Sequence, residues 1–169
     1  MFYKKDANYL HDNKKIKANI IPITPGIYSF EHTNNLINTK IQSKNKITFI
    51  GRLESIDKNI LFLNEITEQA KMNKQEIKIN VYGEGSQKQL LEQNKNLIMH
   101  SSFNNKNIEE IFKDTKVLIL VSQREGFGLV IAEALSHGVP CVIANTFLNA
   151  SFLIDDSRGK LMNNFDPQS

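Results

Sequence analysis

From Lys46 onward the apolar residues fall into short blocks, and their spacing switches between the period of a strand and the period of a helix. Ile47-Thr48-Phe49-Ile50 is compact and β-rich, which predicts a strand. Ile60, Leu61, Leu63, Ile66 and Ala70 then recur at near-helical intervals and predict a helix over 59–72. Ile77, Ile79 and Val81 alternate with polar residues, as in a strand over 77–82. Shorter units follow: a polar helix over 86–93, a brief strand over 97–99 and a short helix over 108–112. Val117-Leu118-Ile119-Leu120-Val121 has no polar break, the mark of a strand buried on both faces. A helix over 127–136 and a second buried strand over 140–144 complete the series. Pro140 is tolerated at the head of its strand because it need not donate a hydrogen bond there. Strand–helix alternation of this kind predicts an α/β, Rossmann-like parallel sheet flanked by helices. Such sheets bind ligands beyond the carboxyl ends of their strands.

Residues 1–45 differ from the rest. They are rich in Lys, Asn and Thr, and their one apolar segment, 18–23, is followed by Thr24-Pro25-Gly26, which predicts a short strand ending in a turn. The expected organisation is a linker and remnant over 1–45 and a single domain over 46–169. A length of 169 residues suits one hydrophobic core, and 40% apolar with 23% charged residues suits a globular chain rather than a disordered one. The formal charge of +3 is mostly lysine scattered among Asn and Ile, with guanidinium groups at Arg52, Arg124 and Arg158. A nucleic-acid surface would cluster its basic residues in a stripe with aromatics between them, so that class is set aside. The single cysteine, Cys141, excludes an internal disulfide and reads as a buried structural thiol. His11, His32, His100 and His137 lack metal-ligand spacing and read as surface or packing residues. No apolar run approaches the length of a membrane span. The expected location is the cytoplasm, including peripheral association at the inner face of the membrane.

Three predicted loops leave the carboxyl ends of strands. The first, Gly51-Arg52-Leu53-Glu54-Ser55-Ile56-Asp57-Lys58, combines a glycine that admits close approach with two cations suited to a diphosphate. The same residues would also serve as ordinary decoration of a βα loop. The second, Tyr82-Gly83-Glu84-Gly85-Ser86, lacks the third glycine and the distant acid of a dinucleotide fingerprint, and a helix cap at Ser86 explains it equally well. The third begins Ser122-Gln123-Arg124-Glu125-Gly126-Phe127-Gly128-Leu129 and runs into a helix. Its glycines open a helix start, where backbone N–H groups and the helix dipole favour phosphate. Further along, Glu133 stands among Leu129, Val130, Ile131, Ala132, Ala134 and Leu135, a segment apolar nearly all round and therefore expected to be buried. A buried carboxylate needs a partner. Two ribose hydroxyls would suit it, and so would a buried cation or a backbone N–H. Eight helical residues rise about 12 Å, so Glu125 and Glu133 would meet different parts of an extended ligand.

Glu125 and Glu133 resemble the Glu-x7-Glu signature of retaining glycosyltransferases of group 1 (family 4), which have the GT-B fold. Arg124 to Leu129, Glu133-Ala134 and Gly138-Val139-Pro140 resemble that family's most characteristic stretch. Gly51-Arg52-Leu53 with Lys58 is similar to its Gly-Arg-Leu…Lys motif, Tyr82 to Gly85 to its Gly-x-Gly turn, and Asp156 through Leu161 to its Asp-Gly-x-x-Gly-x-Leu segment. The matches keep their order over roughly 18–162.

The resemblance implies the C-terminal, donor-binding half of a GT-B fold. By position it gives Arg52 and Lys58 to the donor diphosphate, Glu133 to the ribose hydroxyls, and Glu125 with Gly126, Phe127, Gly128 and Leu129 to the sugar and distal phosphate. Gly51 completes the first loop, and residues 100–104, including Ser101 and Ser102, would lie beside the base. The implied catalytic residues are Glu125, Arg52 and Lys58, with no metal or other cofactor. The implied donor is a nucleoside diphosphate hexose, UDP-linked by preference, and the acceptor a glycan or glycolipid such as lipopolysaccharide or capsule. The resemblance also implies retention by a front-face course that requires no protein nucleophile. Departures from the pattern are Ser101-Ser102 in place of a glycine, one extra residue between Arg52 and Lys58, and Asn145 to Ala150 in place of a glycine-bearing acceptor loop. The family's N-terminal acceptor domain has no counterpart in this sequence, so the expectation is a fragment that is inactive alone. A stand-alone nucleotide-sugar-binding module would carry the same donor residues and differ only in turnover. A structural protein on a degenerate domain is disfavoured by the joint presence of Arg52, Lys58, Glu125 and Glu133.

Overall fold

The computed structural model describes residues 44–101, 103, 107–147 and 150–163. The expected strand over 18–23 and the linker to residue 43 lie outside them. Six strands form one parallel sheet: β1 (Lys46–Ile50), β2 (Ile79–Tyr82), β3 (Leu97–His100), β4 (Thr115–Leu120), β5 (Cys141–Ala144) and β6 (Gly159–Met162). The helices are α1 (Ser55–Lys58), α2 (Phe62–Met72), α3 (Lys88–Leu91), α4 (Ile108–Asp114), α5 (Leu129–Ser136) and α6 (Ala150–Leu153). The strand order is β3-β2-β1-β4-β5-β6, and every neighbouring pair is parallel. Successive strands therefore step outward from β1 in one direction, and the chain then crosses back to continue from β4. The direction reverses between β1 and β4, which makes the gap between their carboxyl ends the switch point where such sheets hold ligands.

Burial follows the hydrophobic pattern. Leu118, Leu120 and Val121 are fully enclosed, as expected of a central strand, and Phe49, Ile50, Ile79, Val81 and Ile143 join them in one core. The outer strands are less covered: Ile98 on β3 is exposed, and β6 carries the exposed Lys160. Two buried hydroxyls tie the sheet to α4. Thr115 donates to the Ile111 carbonyl at 2.7 Å, so the 2.9 Å contact with Thr48 is donated by Thr48. Cys141 is buried, and that burial pushes its thiol up to about 12, as suits a structural side chain.

Several expectations are corrected. The stretch from Arg52 to Lys58 is not all loop, because α1 takes up its last four residues. Ser86 caps no helix: α3 starts two residues later, and the Ser86 hydroxyl donates instead to Glu54 at 2.8 Å. The predicted strand over 77–82 begins at Ile79 and the helix over 127–136 at Leu129. Helix α5 is not buried all round. Ile131, Ala132 and Ala134 face the core, while Leu129 is 48% exposed and Glu133, one turn on along the same face, is half-buried.

Candidate functional site

Close backbone contacts hold the loop after β1 in place. Gly51 N–H donates to the Tyr82 carbonyl at 3.0 Å, Leu53 N–H to the Glu84 carbonyl at 2.9 Å, and Gln87 N–H to the Leu53 carbonyl at 3.1 Å. A Cβ on Gly83 would lie 1.9 Å from the Gly51 oxygen, and one on Gly85 would lie 2.4 Å from the Leu53 oxygen. The Gly-x-Gly turn thus lets the second loop lie flush against the first. Glu54 accepts from Ser86 N–H at 3.2 Å as well as from its hydroxyl. Those two bonds hold the Glu54 carboxyl below its ordinary range, with a smaller contribution from the Arg52 charge. The Arg52 side chain is exposed and makes no hydrogen bond or ion pair among the described residues.

The loop after β4 is sewn to the first loop through α1. The Asp57 carbonyl accepts from Gln123 N–H at 2.8 Å and from Arg124 N–H at 3.1 Å. That double acceptance brings the next residue, Lys58, to the acid of the third loop, where its ammonium is bonded to Glu125 Oε1. Both side chains are largely enclosed, at 15% and 11% exposure, so the pair is desolvated and geometrically defined. Ser122 Oγ donates to the same Oε1 at 2.8 Å. Thr146, after β5, donates to the Ser122 carbonyl at 2.6 Å and links the fourth loop to the third. Gly128, with φ of 73°, turns the chain into α5 in a left-handed conformation that a side chain would strain, and no side chain caps that helix start.

Glu133 differs from Glu125. Its carboxylate makes no hydrogen bond or ion pair among the described residues; only its backbone carbonyl is used, by Ser136 Oγ at 2.7 Å and His137 Nδ1 at 2.8 Å. Burial raises its pKa, and the charge of His137 opposes that shift only in part. No lysine or arginine is bonded to Glu133 among the described residues, and the enclosed Lys58 is bonded to Glu125.

Sequence reasoning missed Ser122 and Thr146. A hydroxyl three residues before Glu125 was the available signal for Ser122, whereas Thr146 depends on a cross-loop contact that no local pattern announces. His100, a residue of the stretch expected beside the base, is a packing residue. Its ring stacks on Tyr82 with centroids 4.2 Å apart, and Nε2 meets Asn80 Oδ1 at 2.9 Å. Asn80 Nδ2 reaches the Ile47 carbonyl, which leaves Oδ1 as the acceptor and the proton on His100 Nε2. Ser101 is exposed at the end of β3, and Ser102 lies outside the described residues. Among the described residues no group of three or more His, Cys, Asp or Glu side chains is placed to hold a metal ion, and no helix is long and apolar enough to cross a membrane.

The family model described as glycosyl transferases group 1 matches residues 32–169. The chain belongs to the group 1 glycosyltransferases. The GtfA subunit of UDP-N-acetylglucosamine–peptide N-acetylglucosaminyltransferase from Streptococcus agalactiae is 30% identical over 120 residues, which cover 66% of this chain and 23% of that protein. An undecaprenol-linked-glycan α-1,4-N-acetyl-D-galactosaminyltransferase of Campylobacter jejuni is 30% identical over 129 residues, 74% of this chain and 36% of its own length. This glycosyltransferase chain thus spans between 23% and 36% of those two relatives. The C-terminal domain of the group 1 protein LpcC from Francisella tularensis superimposes with a TM-score of 0.59 at 20% identity, covering 74% of this chain and 70% of that domain. The fold is therefore the Rossmann-like half of a GT-B glycosyltransferase.

Proposed function

We propose that residues 46–169 form the donor-binding domain of a retaining glycosyltransferase that moves a hexose from a UDP-linked sugar to a glycan or glycolipid. The observation that carries this reading is the meeting of two loops at the β1/β4 switch point through Lys58 and Glu125, with the Glu133 carboxylate on the neighbouring helix making no hydrogen bond or ion pair among the described residues. In this reading Glu133 accepts two ribose hydroxyls, Arg52 and Lys58 meet the diphosphate, and Glu125 with the turn from Gly126 to Leu129 faces the sugar. Gly51 lets the phosphates approach, and Ser101 and Ser102 flank the base. As the bond from the anomeric carbon to the diphosphate breaks, its electron pair and negative charge pass to the leaving phosphate. Cations placed there stabilise that charge most in the transition state. They take the part a metal ion plays elsewhere, so no metal is required. The first relative named above is a UDP-N-acetylglucosamine-dependent transferase and the second an N-acetylgalactosaminyltransferase, which supports a nucleotide-linked sugar as the donor.

The acceptor is held by a second domain, attached or separate, which gives any contact with a membrane surface, and the chain alone does not turn over. A thermal-shift series with UDP-, GDP- and ADP-sugars tests the donor assignment. A ligand at a hundred times its Kd stabilises the native state by about 2.7 kcal/mol, so UDP-sugars are expected to raise the melting temperature by several degrees. Melting that no nucleotide sugar moves at millimolar concentration would refute it.

A further inference from the structure

Two donors converge on one oxygen of Glu125. Lys58 and Ser122 both bond Oε1, while Oε2 makes no hydrogen bond or ion pair among the described residues. Ser122 is 1% exposed, two residues past the end of β4, and its carbonyl is anchored by Thr146 from the next loop. Its hydroxyl is therefore as firmly placed as any group in the site. Lys58, by contrast, has two claims on it: the acid it touches now, and the donor diphosphate assigned to it above. An ammonium is a point charge on a flexible stem and can follow a stronger anion. When a diphosphate draws Lys58 away, Glu125 loses one of its two bonds.

We propose that Ser122 is a positioning residue for sugar recognition: it keeps Glu125 Oε1 bonded when Lys58 turns to the diphosphate, so that Oε2 remains free to accept a hydroxyl of the donor sugar. This inference rests on the donor-binding reading given above. It predicts a separation between the two halves of the ligand. Ser122→Ala should leave the affinity for UDP within twofold of wild type, because Arg52, Lys58 and Glu133 are untouched. The same variant should weaken the tightest of UDP-glucose, UDP-galactose and UDP-N-acetylglucosamine by about tenfold, the range of a hydrogen bond to a charged group.

Calorimetry with UDP and these three sugars measures both quantities, and a double-mutant cycle with Glu125→Ala shows whether Ser122 acts through the acid. Ser122→Ala is expected to have no further effect on UDP-sugar affinity once Glu125 is alanine. A variant that loses UDP and UDP-sugar affinity in parallel, loses neither, or adds its full effect on top of Glu125→Ala overturns the role given to Ser122 and leaves donor binding standing. Wild-type protein that binds neither UDP nor any of the sugars overturns the donor-binding reading, and this inference with it. Melting temperatures of both variants report folding, and Ser122→Cys, which retains a weak donor in a similar volume, is expected to fall between wild type and Ser122→Ala.

Discussion

Two polar regions of this glycosyltransferase domain treat their side chains differently. At the turn leading into β3, Asn94 donates to Asn64 Oδ1 and Thr67 Oγ1, both at 2.8 Å, and accepts from Asn96 N–H at 2.9 Å. Thr67 donates in turn to the Asn64 carbonyl. This corner borders a groove of about 750 Å³ lined by Asn64, Glu68, Lys71 and Asn94. The Asn64 and Asn94 amides at its edge are paired with each other, and lysines, glutamates and other polar side chains line much of the rest. At the carboxyl ends of β1 and β4, by contrast, Arg52 and the Glu133 carboxylate have no bonded partner among the described residues, and Glu125 uses one oxygen of two. Folding closes the Asn64–Thr67–Asn94 cluster on itself, whereas Glu125 Oε2 and the Glu133 carboxylate keep no bonded partner among the described residues. The proposed donor site rests on half-buried polar groups without a bonded partner at the switch point of the sheet, and not on the size of a hollow.

The largest effect should come from the contact that holds the second region together. In Gly85→Ala the new Cβ would lie within 2.8 Å of the backbone nitrogen, carbon and oxygen of Leu53, none of which can swing away like a side chain. The expected loss is about 3 kcal/mol of stability, accompanied by weaker nucleotide binding because Arg52 precedes Leu53. Urea denaturation with an unchanged midpoint would show that the two loops are not packed as described.

A crossed pair of substitutions sharpens the contrast at intermediate size. Asn94→Ala strips donors from Asn64 and Thr67 and should cost about 1–2 kcal/mol of stability, with UDP affinity unaltered. Glu133→Ala removes a half-buried carboxylate that burial already disfavours, so the melting temperature should hold or rise. UDP affinity should fall at least tenfold with two ribose hydrogen bonds gone. Calorimetry and melting curves on both variants decide the matter. Glu133→Ala behaving like Asn94→Ala, less stable but equally able to bind, would reduce the acid to a structural part.

Much of this was legible in the order of residues. The uninterrupted run from Val117 to Val121 announced the central strand because burial on both faces leaves no place for polar side chains. Glu133 announced itself as an acid among apolar neighbours, although its helix is only partly covered and Leu129 on the same face stays exposed. The strand over Gly159–Met162 escaped notice because Lys160 breaks its pattern, as an edge position permits. Helix α1 and the Lys58–Glu125–Ser122 cluster escaped for another reason. They depend on the Asp57 carbonyl receiving two N–H groups from a loop more than sixty residues away, and a local period carries no record of such a contact.

The smallest expected effect is a pH dependence set by packing rather than by the site. Burial, then the nearby charge of Lys46, lowers the pKa of His100 from its ordinary 6.5. The unfolded chain therefore binds a proton at this position at a higher pH than the native one. Stability from neutral His100 is complete above pH 6.5 and is lost as the pH falls from there through the native pKa. The raised carboxyl of Glu133 has the opposite sign, gaining stability as the pH falls toward its ordinary 4.5, so the His100 contribution is clearest at the upper end of the acid range. Melting curves from pH 7.5 to 5.5 should show a decline on the order of 1 kcal/mol or less. His100→Phe keeps a ring against Tyr82 but loses the bond to Asn80, so its melting temperature should be lower throughout. Its slope with pH should be shallower than that of the wild type, because nothing at that position titrates. An undiminished slope would assign the acid sensitivity to another group and leave the stacked histidine as packing alone.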